Sequence, residues 1–236
     1  MGKSLHDRRY PGEDQAYRAA RNTLLSAELE LRRKIEEVAA LRRALPAGGA
    51  VAEDYVFEEG GSDLADRETV RKVRMSELFL RGDTLIAYSF MYGPKAKAAC
   101  PMCTSMLDGL NGNATHVAQR TNLVVIARSP IARIREHARQ RGWSSLRLLS
   151  SAGNDYNRAY FAESPDGEQF PALNVFVRRG GAIHHFWGAE LFFVPSEPGQ
   201  NPRHVDSIWP LWNVLDLTPE GRGEGWYPRL DYGATG

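Results

Sequence analysis

Cys100 and Cys103, in the segment Cys100-Pro101-Met102-Cys103, are the side chains of this sequence best suited to covalent chemistry. A CxxC pair at the first turn of a helix brings two sulfurs within disulfide reach, while free backbone N–H groups and the helix dipole favour a thiolate over a thiol. Pro101 suits that first turn, because its missing N–H costs nothing there. Lys95 and Lys97, just upstream, add positive potential in the same sense. The chemistry implied is thiol–disulfide exchange: Cys100, the more exposed sulfur, attacks, and Cys103 resolves the mixed disulfide. The alternatives are two inert reduced thiols, or a metal site, for which zinc would want two further ligands.

Positioning the pair falls to the elements around it. Leu85 to Tyr92 is apolar, β-rich and bounded by Gly82-Asp83 and Gly93-Pro94, the pattern of a buried strand, and a loop leads from it to the cysteines. Thr104 to Gln119 reads as a helix, Asn122 to Arg128 as a strand, Pro130 to Gln140 as a helix opened by Ser129, and Ser145 to Leu149 as a strand. This βαβαβ alternation is followed by Ala172 to Arg178 and Ala182 to Trp187, joined by the hairpin signal Arg179-Gly180-Gly181. A mixed sheet with parallel crossovers and an antiparallel pair follows. Upstream, Tyr55 to Phe57 and Arg71 to Val73 are short strand candidates, and Met75 to Leu80 is a helical turn capped by Ser76.

Glu13 to Leu45 lacks Gly and Pro and repeats Tyr17, Leu24, Leu31, Val38 and Leu45 every seven residues, which predicts a long amphipathic helix. Such a helix either lies across its own domain or pairs with a second copy to make a homodimer. From Pro195 the composition shifts to Pro, Gly and Trp, predicting an irregular cap anchored by Trp209, Trp212 and Trp226. The expected organisation is residues 1–50 for the helix, 51–194 for the α/β domain and 195–236 for the extension.

The 236 residues, 42% of them hydrophobic, are enough to bury a core without staples, and two cysteines three apart cannot form a disulfide framework. With 30 basic against 29 acidic side chains, the formal net charge of +1 gives no global attraction to nucleic acid or to an anionic membrane, and neither is expected as a partner. No apolar run approaches the roughly 18 residues of a membrane span. Met1 to Gly12 is polar, without the apolar core of a secretory leader, so a reducing cytoplasm is the expected location.

In order, strand, CPMC, helix, strand, helix, strand and hairpin resemble the thioredoxin-like superfamily. More narrowly, the chain resembles the DUF899 family of thioredoxin-like proteins, which are predicted dithiol-disulfide oxidoreductases. The residues that carry this are Ala87 to Pro94, Cys100 and Cys103, Gly142-Trp143, Ser150 to Tyr160, Asn174 to Arg178, His185 to Gly188 and Gly225 to Tyr227, spanning roughly residues 13 to 232. The resemblance implies a three-layer α/β fold with a central mixed sheet flanked by helices, a redox-active pair and no cofactor. Its implied partners are a thiol or disulfide substrate and a reducing thiol system. It also implies a cis-proline opposite the cysteines, for which Phe170-Pro171 stands in the right order, and an acid near the second cysteine to take its proton, for which Asp108 and Glu77 are the candidates.

Three competing readings attach to the same residues. Met75 to Phe79 is similar to the lead-in of peroxiredoxin-like folds, but the threonine that such sites place three positions before the cysteine is Lys97 here. A copper module would need His184, His185 or His204 to approach the sulfurs, with Cys100, Cys103 and His185 as the metal-ligand alternative. A redox-inactive binding module would keep the fold alone. His6, His116 and His137 read as solvated, Arg133, Arg135, Arg139 and Arg141 as one solvated helix face, and Tyr156 and Arg158 as groove or loop residues.

Overall fold

A computed structural model describes residues 5–198, 204–223 and 225–233. The chain divides into two units, one ending at Pro46 and the other beginning at Ala47. The first unit is built on helix α1, Gln15–Arg43. Asp14 caps it by accepting the Tyr17 N–H at 2.7 Å, and Arg42 and Arg43 lie at the end where the helix dipole favours cations. Of its seven-residue repeat, Tyr17, Leu24, Leu31 and Leu45 are exposed.

In the second unit, β1 (Val56–Gly60), β2 (Val70–Arg74) and β3 (Thr84–Phe90) precede α2 (Pro101–Val117), β4 (Asn122–Ala127), α3 (Ile131–Arg141), β5 (Arg147–Ser150) and the short α4 (Tyr156–Ala159). The hairpin strands β6 (Ala172–Arg179) and β7 (Ala182–Gly188) follow, and α5 (Pro210–Leu215) lies in the extension. The strands form one seven-stranded sheet in the order β2-β1-β5-β4-β3-β6-β7. β3 pairs parallel with β4 and β4 with β5, whereas β6 runs antiparallel to β3 and β7 antiparallel to β6. Gly180 and Gly181 turn the hairpin at φ of 59° and 81°, values that a side chain would strain.

The central strands are apolar throughout because both faces are covered. Tyr88, Phe90, Val125 and Ala127 face the core shared with α2 and α3, while Leu85, Ala87, Val124 and Ile126 face a second core with Phe57, Tyr156 and Phe176. This α/β arrangement, a βαβ crossover with an antiparallel hairpin beside the first strand, is the thioredoxin-like order. Within the described part of the extension, Trp209 and Trp212 enter the first core, Trp209 Nε1 donates to Ser105 Oγ at 3.4 Å, and Gly109 leaves α2 bare where Pro210 approaches. The rest of the expected extension, 199–203, 224 and 234–236, lies outside the described residues, as do 1–4 of the N-terminal segment.

Several expectations need correction. β1 is longer than its candidate and shifted toward the C-terminus, β2 extends its candidate by one residue at each end, and α2 starts at Pro101 rather than Thr104. The helical turn Met75–Leu78 is anchored by Glu77, whose carboxylate accepts the Arg74 N–H at 2.6 Å; Ser76 instead bonds to Asp54. α3 is capped by no side chain, so Ser129 does not open it; its hydroxyl donates to the Gly93 carbonyl at 3.0 Å. The arginines of α3 are not one solvated face: Arg135 is buried and donates to the carbonyls of Gly61, Asp63 and Asp66, and Arg141 pairs with Asp108. His137 is buried too, between the rings of Phe90, Tyr92 and Trp143.

Candidate active site

Cys100 is the N-cap of α2, with extended backbone at φ −62° and ψ 122°, and Pro101 holds the first helical position. The Cys103 N–H points back at Cys100 Sγ, 3.4 Å away, as a capping donor does. The turn is fixed from below. The Cys100 carbonyl accepts both the N–H and the hydroxyl of Thr104 at 2.9 Å, and that hydroxyl lies 3.1 Å from His137 Nε2.

The loop between β3 and α2 is equally tied. The Cys100 N–H donates to the Met91 carbonyl at 3.1 Å, and Arg133 donates to the carbonyls of Pro94 and Ala96 while its guanidinium lies 4.5 Å from the centre of the Tyr92 ring. An arginine that reads as solvated in the sequence is therefore the clamp on the loop that leads to Cys100.

The two sulfurs differ by burial. Both are free thiols; Cys100 is partly exposed and Cys103 is buried. The Cys100 thiol is lowered to about 6, chiefly by the hydrogen bond from Cys103, with backbone N–H groups of Cys103 and Met102 helping against burial. The Cys103 thiol is pushed far up, because it donates to Cys100 and because it is enclosed and faces the Cys100 charge. Tyr88 hydrogen-bonds Cys103 from β3, and burial together with that sulfur drives the phenol well above its ordinary range.

Cys100 opens onto a groove of about 670 Å³. One wall is the loop from Met91 to Ala98. The opposite wall is the short turn Glu163 to Gln169, closed by the Ser164 N–H donating to the Glu168 carbonyl at 2.8 Å. Arg128, at the end of β4, and Arg158, on α4, both reach Glu163, at 2.7 and 3.5 Å, so a nearly buried carboxylate staples the far wall to the sheet. Lys95 also lines the groove.

Of the residues singled out in the sequence, Cys100, Pro101 and Cys103 come together and Lys95 and Arg158 line the same groove as Cys100, whereas the others do not join them. Lys97 is exposed and is not among the groove residues, so the electrostatic priming comes from Cys103 and the backbone rather than from that lysine. Asp108 accepts from Arg141 and, at 2.8 Å, from the Trp143 indole N–H; it braces α2 against α3. Glu77 is spent on its own helical turn. The Phe170–Pro171 bond is trans, and Gln169 rather than Pro171 lines the groove. His185 bonds Asn174 at 2.9 Å and stacks on Tyr160, His184 lies 3.1 Å from the Gly48 carbonyl, and His204 packs on Phe192. No cluster of metal-ligating side chains occurs among the described residues, and the Cys100, Cys103 and His185 set is not assembled.

Sequence reasoning missed Tyr88, Arg128, Glu163 and Arg133. Only Tyr88 gave a signal: a tyrosine in a strand covered on both faces must find a partner for its hydroxyl. Arg158 lines the groove, whereas Tyr156 belongs to the second core.

Fold and site together define an α/β protein of thioredoxin-like order with a CxxC pair at the N-terminus of the helix that follows the central strand. The chain belongs to the DUF899 family, described as "Bacterial protein of unknown function", whose family model matches residues 8–232. Solved structures similar to it include the reduced 2-Cys peroxiredoxin of Plasmodium vivax, at 13% identity and a TM-score of 0.46 over 73% of this chain and 98% of that one. Peroxidoxin BcpB of Mycobacterium tuberculosis gives 19% identity and 0.43 over 72% and 98%, and the lipoprotein thioredoxin Etrx1 of Streptococcus pneumoniae 12% and 0.38 over 66% and 98%. No curated protein matches the chain.

Proposed function

We propose that the protein is a thiol–disulfide oxidoreductase whose dithiol is Cys100 and Cys103. The observation that carries this reading is the asymmetry of the pair: a partly exposed sulfur lowered to about 6 opens on a groove, and a protonated sulfur is enclosed behind it. At pH 7 a thiol of that acidity is about 90% ionised, against about 1% for a cysteine at its ordinary value of 9.0. Intrinsic nucleophilicity falls with pKa, so the net gain in attack rate is only a few-fold; the larger benefit is to Cys100 as a leaving group.

The Cys100 thiolate attacks one sulfur of a substrate disulfide, the substrate S–S bond breaks, and the departing thiolate takes a proton from solvent. With Cys100 now bonded, Cys103 loses the acceptor for its S–H, and the hydrogen bonds from Tyr88 and from the Met91 backbone, which favour its ionised form, remain. Cys103 gives up its proton to solvent and its thiolate attacks Cys100 Sγ; the mixed disulfide breaks, and the second substrate thiolate leaves and is protonated by solvent. The substrate gains two electrons, the pair becomes a disulfide, and an external dithiol returns the electrons.

The test is equilibration with glutathione redox buffers followed by alkylation of free thiols, on the wild type and on Cys103→Ser. A reversible intramolecular disulfide in the wild type, and a mixed disulfide trapped on Cys100 in the variant, are expected. Two thiols that stay alkylatable at every ratio would leave a redox-inactive binding module, and peroxide consumption without disulfide exchange would make it a thiol peroxidase.

A further inference from the structure

Helix α1 carries an exposed apolar seam. Tyr17, Leu24, Leu31 and Val38 recur every seven residues, and Ala20, Ala27 and Leu41 each follow three positions after a member of that row. Leu31, Ile35 and Leu41 are 62, 60 and 69% exposed, and Tyr17 and Leu24 are about half exposed. A helix of 29 residues takes most of its stability from packing such a face rather than from propensity. On a straight helix a strict seven-residue repeat drifts by about 20° per repeat, so it stays in line only where two helices wrap around each other. The repeat therefore calls for a second helix.

The area suffices for a stable pair. Tyr17, Leu24, Leu31, Ile35, Leu41 and, just past the helix end, Leu45 each offer about 100 Å². Over a symmetric pair that is about 1,200 Å², above the roughly 1,000 Å² that a specific interface needs.

The charges select the second helix. Those in and beside the seam cancel, Arg21, Lys34 and Arg42 against Glu28, Glu30 and Glu37, so a strongly acidic or basic partner finds no net attraction there. Arg18, Arg32, Arg33, Glu36 and Arg43 occupy the outer positions of the repeat. Laid parallel and in register with itself, α1 sets Thr23 opposite Glu28, Glu30 opposite Ile35 and Glu37 opposite Arg42, with no like charges meeting along these borders. Fully overlapped and antiparallel, it would set Glu28 against Glu28 and Glu30 against Glu30. Lys34, the polar residue in the seam, is paired with Glu37 of its own helix at 3.0 Å, so its stem lies along the seam while Ile35 supplies the apolar contact.

We propose that the protein is a homodimer in which α1 forms a parallel two-stranded coiled coil with α1 of a second copy, Glu37 of each helix pairing with Arg42 of the other. This assignment does not depend on the redox role of the cysteines.

The test is sedimentation equilibrium of the full chain over about 1–100 µM. A dimer mass is expected for the wild type, and a monomer mass for Leu24→Glu combined with Leu31→Glu, two exposed positions where glutamate keeps helix propensity. All five tryptophans lie beyond Pro46, so an unchanged near-UV circular dichroism spectrum shows that the second unit of the variant is folded. Arg33→Glu, at an outer position, should leave the dimer intact. Glu37→Lys and Arg42→Glu, each alone, should dissociate several-fold more readily, and an equimolar mixture of the two should recover as a heterodimer, because only the mixed pair restores opposite charges at both contacts. A wild type that stays monomeric throughout, or a Leu24→Glu, Leu31→Glu variant that stays dimeric, would overturn the proposal. Failure of the mixture to recover would overturn its parallel pairing.

Discussion

Replacing Cys103 by alanine and by serine separates the two sources of Cys100 acidity. The largest contribution is the hydrogen bond from the Cys103 side chain; the backbone N–H groups of Cys103 and Met102 come after it. A hydrogen bond to a charged group contributes about 1.5–3 kcal/mol, and one pKa unit corresponds to about 1.36 kcal/mol. Cys103→Ala should therefore raise the Cys100 thiol by about one to two units, and its thiolate fraction at pH 7 should fall from about 90% to between about 10% and 50%. Cys103→Ser keeps an O–H donor and should hold Cys100 within about half a unit of the wild type. The assay is the second-order rate of iodoacetamide alkylation of Cys100 between pH 4 and 9, with thiolate absorbance near 240 nm as a second readout. Cys103 is enclosed and should contribute little to either signal in that range. If alanine leaves the inflection near 6, the backbone alone sets the acidity; if serine shifts it as far as alanine does, the hydrogen bond is not the cause. Either result refutes this division between side chain and backbone.

Other expectations test other contacts. Tyr88→Phe keeps the ring in the core but removes the donor to Cys103, so the resolving step should slow about tenfold and the mixed disulfide on Cys100 should persist longer in a quenched-flow alkylation assay. Asp108→Ala should cost about 1–3 kcal/mol of stability, visible as a lower urea midpoint, because it strands Arg141 and Trp143 Nε1; the alkylation profile of Cys100 should be unchanged. Stability should depend on pH with a definite sign. Cys100 is lowered on folding from 9.0 to about 6, so its contribution is complete above 9, declines as pH falls, and vanishes below about 6. The stability difference between reduced wild type and Cys100→Ala should accordingly grow from pH 6 to 9, as read by urea titration, and a flat difference would contradict the shift. The raised Cys103 thiol acts in the opposite direction, subtracting stability only above its unfolded value.

Much of the fold is legible in the sequence because burial leaves a periodic trace. The run from Leu85 to Tyr92 is apolar on both alternations, as a strand covered on both faces must be, and Gly180-Gly181 marks the only local conformation that turns β6 into β7. CxxC at a helix start is readable for a different reason: cap and cysteines are adjacent in the chain. Asp108, read from the sequence as an acid beside Cys103, is instead turned to Arg141 and Trp143, as the roughly 140° that five residues of helix put between it and Cys103 requires. The α3 arginines and His137 carry no such signal. A charged residue reads as solvated unless the acceptors that bury it are known, and here they are carbonyls near residues 61–66 and 93–97 and a threonine on another helix.

The site's asymmetry follows from that long-range packing rather than from the CPMC segment. Two identical thiols three residues apart have no intrinsic difference in acidity. The difference arises because α2 lies with Cys103 against β3, where Tyr88 and the core enclose it, while the N-cap position leaves Cys100 at the mouth of a groove whose walls are held by Arg133 on one side and by Arg128 and Glu163 on the other. Burial keeps the inner sulfur protonated, and a protonated inner sulfur is the donor that keeps the outer one ionised. Oxidation removes both halves of that arrangement at once, since the disulfide has neither an S–H to donate nor a thiolate to accept. The reduced state alone gains from the hydrogen bond, so weakening it by Cys103→Ala cannot be compensated elsewhere in the groove, whereas loosening the walls by Arg133→Ala should alter access to Cys100 while leaving its inflection near 6.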